Sequence, residues 1–79
     1  TYMNATEVLA QMGYTMDKPE IQEATGPGSE GLFDVFYSAR GPKSEVRVDT
    51  VATCEMVEDE DLGSTEQEAA SAMVNLLRS

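Results

Sequence analysis

Near the start of the chain, Val8, Leu9 and Met12 recur at i, i+1 and i+4, the spacing of one helical face. That spacing predicts a helix over Ala5–Met12, with Asn4 as its N-cap and Gly13 as its stop. Tyr14 or Met16 is expected to fold back against that end, and Asp17-Lys18-Pro19 to act as a linker, because proline biases the residue before it to extended geometry. The rhythm then changes to period two. A short strand is expected at Glu20–Ala24, with Ile21 as its core residue. Thr25 to Gly31 reads as loop at every position. From Leu32 to Ala39, Phe33, Val35 and Tyr37 alternate with Asp34, Phe36 and Ser38, the clearest strand in the chain. Arg40-Gly41-Pro42-Lys43 turns it. A third strand is expected over Val46–Val57, with Val46, Val48, Thr50, Ala52, Cys54 and Met56 on one face. Arg47, Asp49, Val51, Thr53 and Glu55 would lie on the other. Glu58-Asp59-Glu60-Asp61 is an exposed acidic connector. The period of 3.6 then returns, with Ala69, Ala72, Met73, Leu76 and Leu77 in one stripe, while Glu66, Gln67, Ala70, Ser71 and Asn75 fall elsewhere. A Thr65–Glu68 capping box, or Ser64, is expected to start this helix.

Strands joined by a short Gly-Pro turn run antiparallel, and a three-stranded sheet needs one face covered. The expected fold is therefore α+β: an α-β-β-β-α two-layer sandwich, with two helices packed on one face of a three-stranded antiparallel sheet. At 79 residues the chain is one domain. A chain of this size buries about 60% of its unfolded surface, so the core is thin. Opening on Thr1, it is expected to be a fragment of a larger protein.

Charge narrows the function. Fifteen acidic residues against five basic ones give a net charge of −10. Polyanion binding draws its affinity from Lys and Arg displacing counterions. Lys18, Arg40, Lys43, Arg47 and Arg78 are few and scattered. The surface as a whole repels nucleic acid and anionic membrane and favours a basic protein partner. Cys54 is the only cysteine, so no internal disulfide can form, which fits a reducing cytoplasmic or nuclear setting. No apolar run approaches the roughly 18 residues of a membrane helix. Asn4-Ala5-Thr6 matches a glycosylation acceptor and is read instead as a helix start.

The motifs that could carry chemistry fail on inspection. Gly26-Pro27-Gly28-Ser29-Glu30-Gly31 fits G-x-G-x-x-G, but it opens a strand where a phosphate loop must open a helix. Counted from Asp59 as a calcium loop, Gly63 is fifth and Ala70 twelfth, where the EF-hand needs Gly sixth and Glu twelfth. No histidine is present to act as general base or to complete a zinc site, so no enzyme, metal or cofactor is expected. Cys54 sits in an apolar stretch, the setting of an inert thiol. Phe36, Val51 and Val57 stand off the expected core face. Scattered apolar residues on a sheet are common, whereas the three on one face would mark a partner-binding patch. Both readings stand open.

Leu9-Ala10-Gln11 late in the first helix, Gly26-Pro27 between the first two strands, Phe33 soon after, and the alanine-rich Gly63–Met73 closing segment together resemble a double-stranded-RNA-binding domain over nearly the whole chain. The family reads duplex shape across two successive minor grooves and the phosphates between them. On the matching positions, the resemblance implies RNA contacts by Thr6, Glu7 and Gln11, by Gly26, Pro27 and Ser29, and by Ser64, Thr65 and Gln67. This chain departs from the family twice. Ser29 or its neighbour stands where a histidine is expected, and Glu66, Gln67, Glu68 and Ala70 occupy the region of the family's lysines. The segment from the second strand to the last helix is also longer than usual and acidic. The resemblance thus implies a degenerate, acidic member acting in protein–protein interaction within an RNA-processing or RNA-silencing protein. Its contact surface would be Phe36, Val51, Val57 and Glu58, Asp59, Glu60 and Asp61. Self-association would use the edge of the third strand, which can accept an added strand. Two alternatives remain: a direct, weak, shape-specific binder of double-stranded RNA, and an unrelated acidic α+β interaction domain.

Overall fold

The computed structural model describes residues 4–79. Helix α1 covers Ala5–Gln11, and Asn4 caps it as expected, its Oδ1 accepting the Glu7 amide at 3.0 Å. Past the C-cap Met12, Gly13 takes φ +91°. The Gly13 amide donates to the Ala10 carbonyl at 3.0 Å and the Tyr14 amide to that of Leu9 at 3.2 Å. That pair of bonds is a Schellman ending, which needs a left-handed residue where glycine stands.

The sheet holds four antiparallel strands rather than three: β1 Thr15–Met16, β2 Glu20–Glu23, β3 Leu32–Arg40 and β4 Glu45–Thr53. β4 pairs β3 along its whole length, from Leu32↔Thr53 to Arg40↔Glu45. β1 and β2 therefore share the opposite edge of β3, one opposite Ala39 and Arg40, the other opposite Phe33–Phe36. They are two parts of one interrupted edge strand. Between the partners Met16↔Ala39 and Glu20↔Phe36, the edge has Asp17, Lys18 and Pro19 where β3 has only Tyr37 and Ser38. One extra residue on one strand is the signature of a bulge, and Pro19, with no amide hydrogen, cannot complete the ladder there. The Asp17 amide still donates to the Ser38 carbonyl at 2.9 Å. Because of the bulge, Met16 and Ile21, five residues apart, lie on the same side of the sheet, where an unbroken strand would oppose them.

The expected third strand ends early. After Thr53 the chain turns into helix α2, Cys54–Glu58. Thr53 supplies the reason: its hydroxyl accepts the Met56 amide at 3.3 Å, an N-cap bond. Cys54, Met56 and Val57 are consequently not strand residues. The closing helix α3 spans Gly63–Arg78 and starts earlier than the capping box implies. Its N-cap is Leu62, without a side-chain cap bond. Thr65 lies inside the helix, 3% exposed, where its hydroxyl donates to the Leu62 carbonyl and accepts the Tyr37 hydroxyl, each at 2.9 Å. The threonine hydrogen is committed to Leu62, so Tyr37 must donate.

Among the described residues, all three helices lie on one side of the sheet. Leu9 of α1 and Ala69, Ala70, Met73 and Val74 of α3 close over Val35, Tyr37, Ala39 and Ala52. Thr50, also buried, donates to the Val35 carbonyl at 3.2 Å. The stripe on α3 is rotated from the expected one: Ala70 is fully buried, whereas Leu76 is exposed. The helix touches both α1 and β4, which widens its buried face beyond what one partner would need. Ile21, the expected core residue of its strand, faces Val35 from the sheet edge but stays 41% exposed. Among the described strands, β2 pairs only with β3, so its outer edge has no strand partner.

Candidate interaction surfaces

Among the described residues, no helix or strand layer covers the sheet's outer face. Cross-strand partners share a face, so this side is built from Glu20, Phe36 and Asp49 in one row and Gln22, Asp34 and Val51 in the next. Phe36 and Val51 are therefore diagonal neighbours, with Phe36 37% and Val51 55% exposed. Carboxylates bracket them. Glu20, Gln22, Phe36, Arg47 and Asp49 line a depression of about 540 Å³ on this face. Val57 does not join them. It packs from α2 against the core on the opposite side, because the chain has already left the strand.

β4 pairs only with β3 among the described strands, so one of its backbone edges is unpaired by strand. Nine residues long, it is a template for an added strand. Its outward residues Glu45, Arg47 and Asp49 alternate in sign, and Arg47 Nε donates to Glu45 at 3.0 Å. At the far edge, Arg40 holds Asp17 through two bonds of 3.1 Å. That hydrogen-bonded carboxylate, with its charge, pushes the Arg40 pKa above its usual value. Two of the five cations are thus engaged with acids.

The positions matched to RNA contacts divide into two groups. Thr6 and Gln67 come together where the helix N-termini meet. Gln67 Nε2 donates to Thr6 Oγ1 at 3.3 Å, and its Oε1 accepts the Ala5 amide at 3.2 Å. Thr6 in turn donates to Asn4 at 2.7 Å. These polar groups join α1 to α3 and satisfy an amide that the first helical turn leaves without an internal partner. Glu7, Gln11 and Ser64 are exposed, and Thr65 is buried. The loop residues form the other group. Ser29 donates from its hydroxyl to the Gly26 carbonyl at 2.6 Å and from its amide to the same oxygen at 3.3 Å, closing a turn that includes Pro27. The loop is anchored to α2, whose Cys54 amide donates to the Gly31 carbonyl at 3.0 Å. In place of a lysine cluster, the first turns of α3 present Glu66 and Glu68, both exposed.

The acidic segment is more structured than a connector. Glu58 ends α2 and accepts the Cys54 thiol at 3.4 Å. Asp59 is the C-cap, and Glu60 takes φ +55°. The Glu60 amide donates to the Val57 carbonyl at 3.2 Å and that of Asp61 to Met56 at 2.9 Å, a second Schellman ending, with glutamate at the left-handed position. The missed helix had a weak signal. Thr53 is a good cap and Glu55 suits a first turn, but Met56 leaves the capping box incomplete.

Among the described residues, no group of three or more His, Cys, Asp or Glu is placed to hold a metal ion, and no helix is long and apolar enough to cross a membrane. No protein-family model, curated protein or solved structure matches this chain.

Proposed function

We propose that this chain is a double-stranded-RNA-binding-domain-like module of an RNA-processing or RNA-silencing protein, acting inside the cell through protein contacts rather than through RNA. The observation that carries this reading is the uncovered outer face of the sheet, where Phe36 and Val51 stand exposed beside the unpaired edge of β4. Among the described residues the helices cover only one side of the sheet, which leaves apolar area on the other for a partner. The partner is a basic protein surface or a second copy that adds its own strand to β4.

Charge speaks against RNA. Glu66 and Glu68 face solvent where phosphate-binding cations would be needed, and Thr6 and Gln67 are occupied with one another. Replacing about three phosphate contacts by carboxylates removes their salt-dependent affinity and adds repulsion.

The test is a titration of the 15N-labelled chain with a perfect RNA duplex of about 20 base pairs at low salt. A flat response is expected. Shifts confined to Thr6–Gln11, Gly26–Ser29 and Ser64–Gln67, weakened by salt and by Gln11→Ala, would sink the proposal in favour of direct duplex binding. In the same experiment a concentration series reads self-association. Movement of β4 amides that Val51→Glu abolishes identifies the second copy as partner, whereas an invariant spectrum removes the second copy from the proposal.

A further inference from the structure

On the helical side, the bulge in the edge strand opens a second surface. Met16, Pro19 and Ile21 from the edge meet Val57 and Leu62 from the α2–α3 segment around a groove of about 580 Å³, with Tyr37 contributing to its lining. Met16, Pro19, Ile21, Val57 and Leu62 supply its apolar part, and polar groups make up a comparable share of the lining. Glu60 and Glu66 stand at the groove, both exposed, with Lys18 as its lone cation, while Asp17 is already bonded to Arg40. The bulge itself creates the groove by placing Met16 and Ile21 on one side. Ile21 remains exposed there although its strand partner Val35 is fully buried.

We propose that this groove docks a basic peptide segment through one large apolar side chain, with flanking lysines or arginines meeting Glu60 and Glu66. Charge complementarity selects this occupant. The groove lies on a chain of net charge −10, so a basic segment is drawn to it where an acidic or neutral segment gains no attraction. A volume of this order holds a side chain of leucine or phenylalanine size, and such an anchor dominates short-peptide binding. The left-handed backbone of Glu60 directs one of the two carboxylates from a fixed turn. Phe36 and Val51 do not line this groove, although it shares Asp17, Lys18 and Tyr37 with the depression on the outer face.

The 15N-labelled chain is titrated with a short capped lysine peptide carrying one central leucine, and with the same peptide carrying glycine instead. Amide shifts at Met16, Ile21, Val57 and Leu62 are expected, with affinity at least roughly tenfold weaker for the glycine peptide, the effect of losing one buried leucine. Glu60→Lys with Glu66→Lys, both at exposed positions, should weaken the leucine peptide by a similar factor at low salt and less at high salt. Ile21→Thr keeps a β-branched residue in the strand and should weaken it as well. Equal affinity for both peptides would show charge attraction without an anchor site and overturn the proposal. So would absent binding. Shifts on the Phe36–Val51 face would also overturn it, while leaving the outer face as a protein-binding surface.

Discussion

Cys54 opens α2, a position where the helix amides would ordinarily favour a thiolate. Its neighbours reverse that. The thiol donates to Glu58 one turn on, and this bond, followed by the charge of Glu58 and then smaller contributions from desolvation, Glu55 and Glu23, raises its pKa above the usual value. A raised pKa means less thiolate at any pH below it, so alkylation by iodoacetamide near pH 8 should be slower than for a free cysteine. Glu58→Ala removes both the bond and the charge and should speed alkylation several-fold; an unchanged rate would show that Glu58 does not control the thiol. The expectation of an inert cysteine rested on a buried strand position. Cys54 stands instead at the start of a helix, where the carboxylate of Glu58 raises the thiol pKa. A sequence does not show which carboxylate will sit four residues along a helix when the helix itself is missed.

At the scale of elements, caps and turns were legible because their partners are local. Asn4, Gly13 and the alternation of Phe33, Val35 and Tyr37 act within a few residues, and all three behave as the pattern implies. Thr65 was misleading for the same reason. As T-x-x-E it has a good local use, but Tyr37, 28 positions away, offers its hydroxyl a buried bond. The ending of α2 leads to a prediction at this scale. Glu60 adopts a left-handed conformation that costs an L-residue roughly 1–2 kcal/mol, part of which glycine regains. Glu60→Gly should therefore raise stability by about 0.5–1 kcal/mol in urea unfolding, since the two Schellman bonds are made by backbone amides. A loss instead would mean that the glutamate side chain contributes more to the fold than its backbone costs.

Taken as a whole, the molecule is held by one thin core in which Leu9, Met73 and Val35 are the largest fully buried side chains. Leu9→Ala should cost about 2–5 kcal/mol, a large part of the roughly 5–15 kcal/mol that stabilises a small domain. Leu76→Ala, at a position 57% exposed, should stay within about 0.5 kcal/mol. Equal losses in chemical denaturation would remove the basis for the assigned core. The local rhythm of apolar and polar residues determined that α1, β2, β3, nearly all of β4 and α3 exist, and composition alone determined that the surface is acidic. Tertiary structure decided what these elements share. It split the edge strand at Pro19, set Met16 beside Ile21 across one extra residue, sent Val57 to the helical side and drew Thr65 into the core. Each of these depends on which residue lies opposite, and that is settled by pairing and packing between segments distant in the chain.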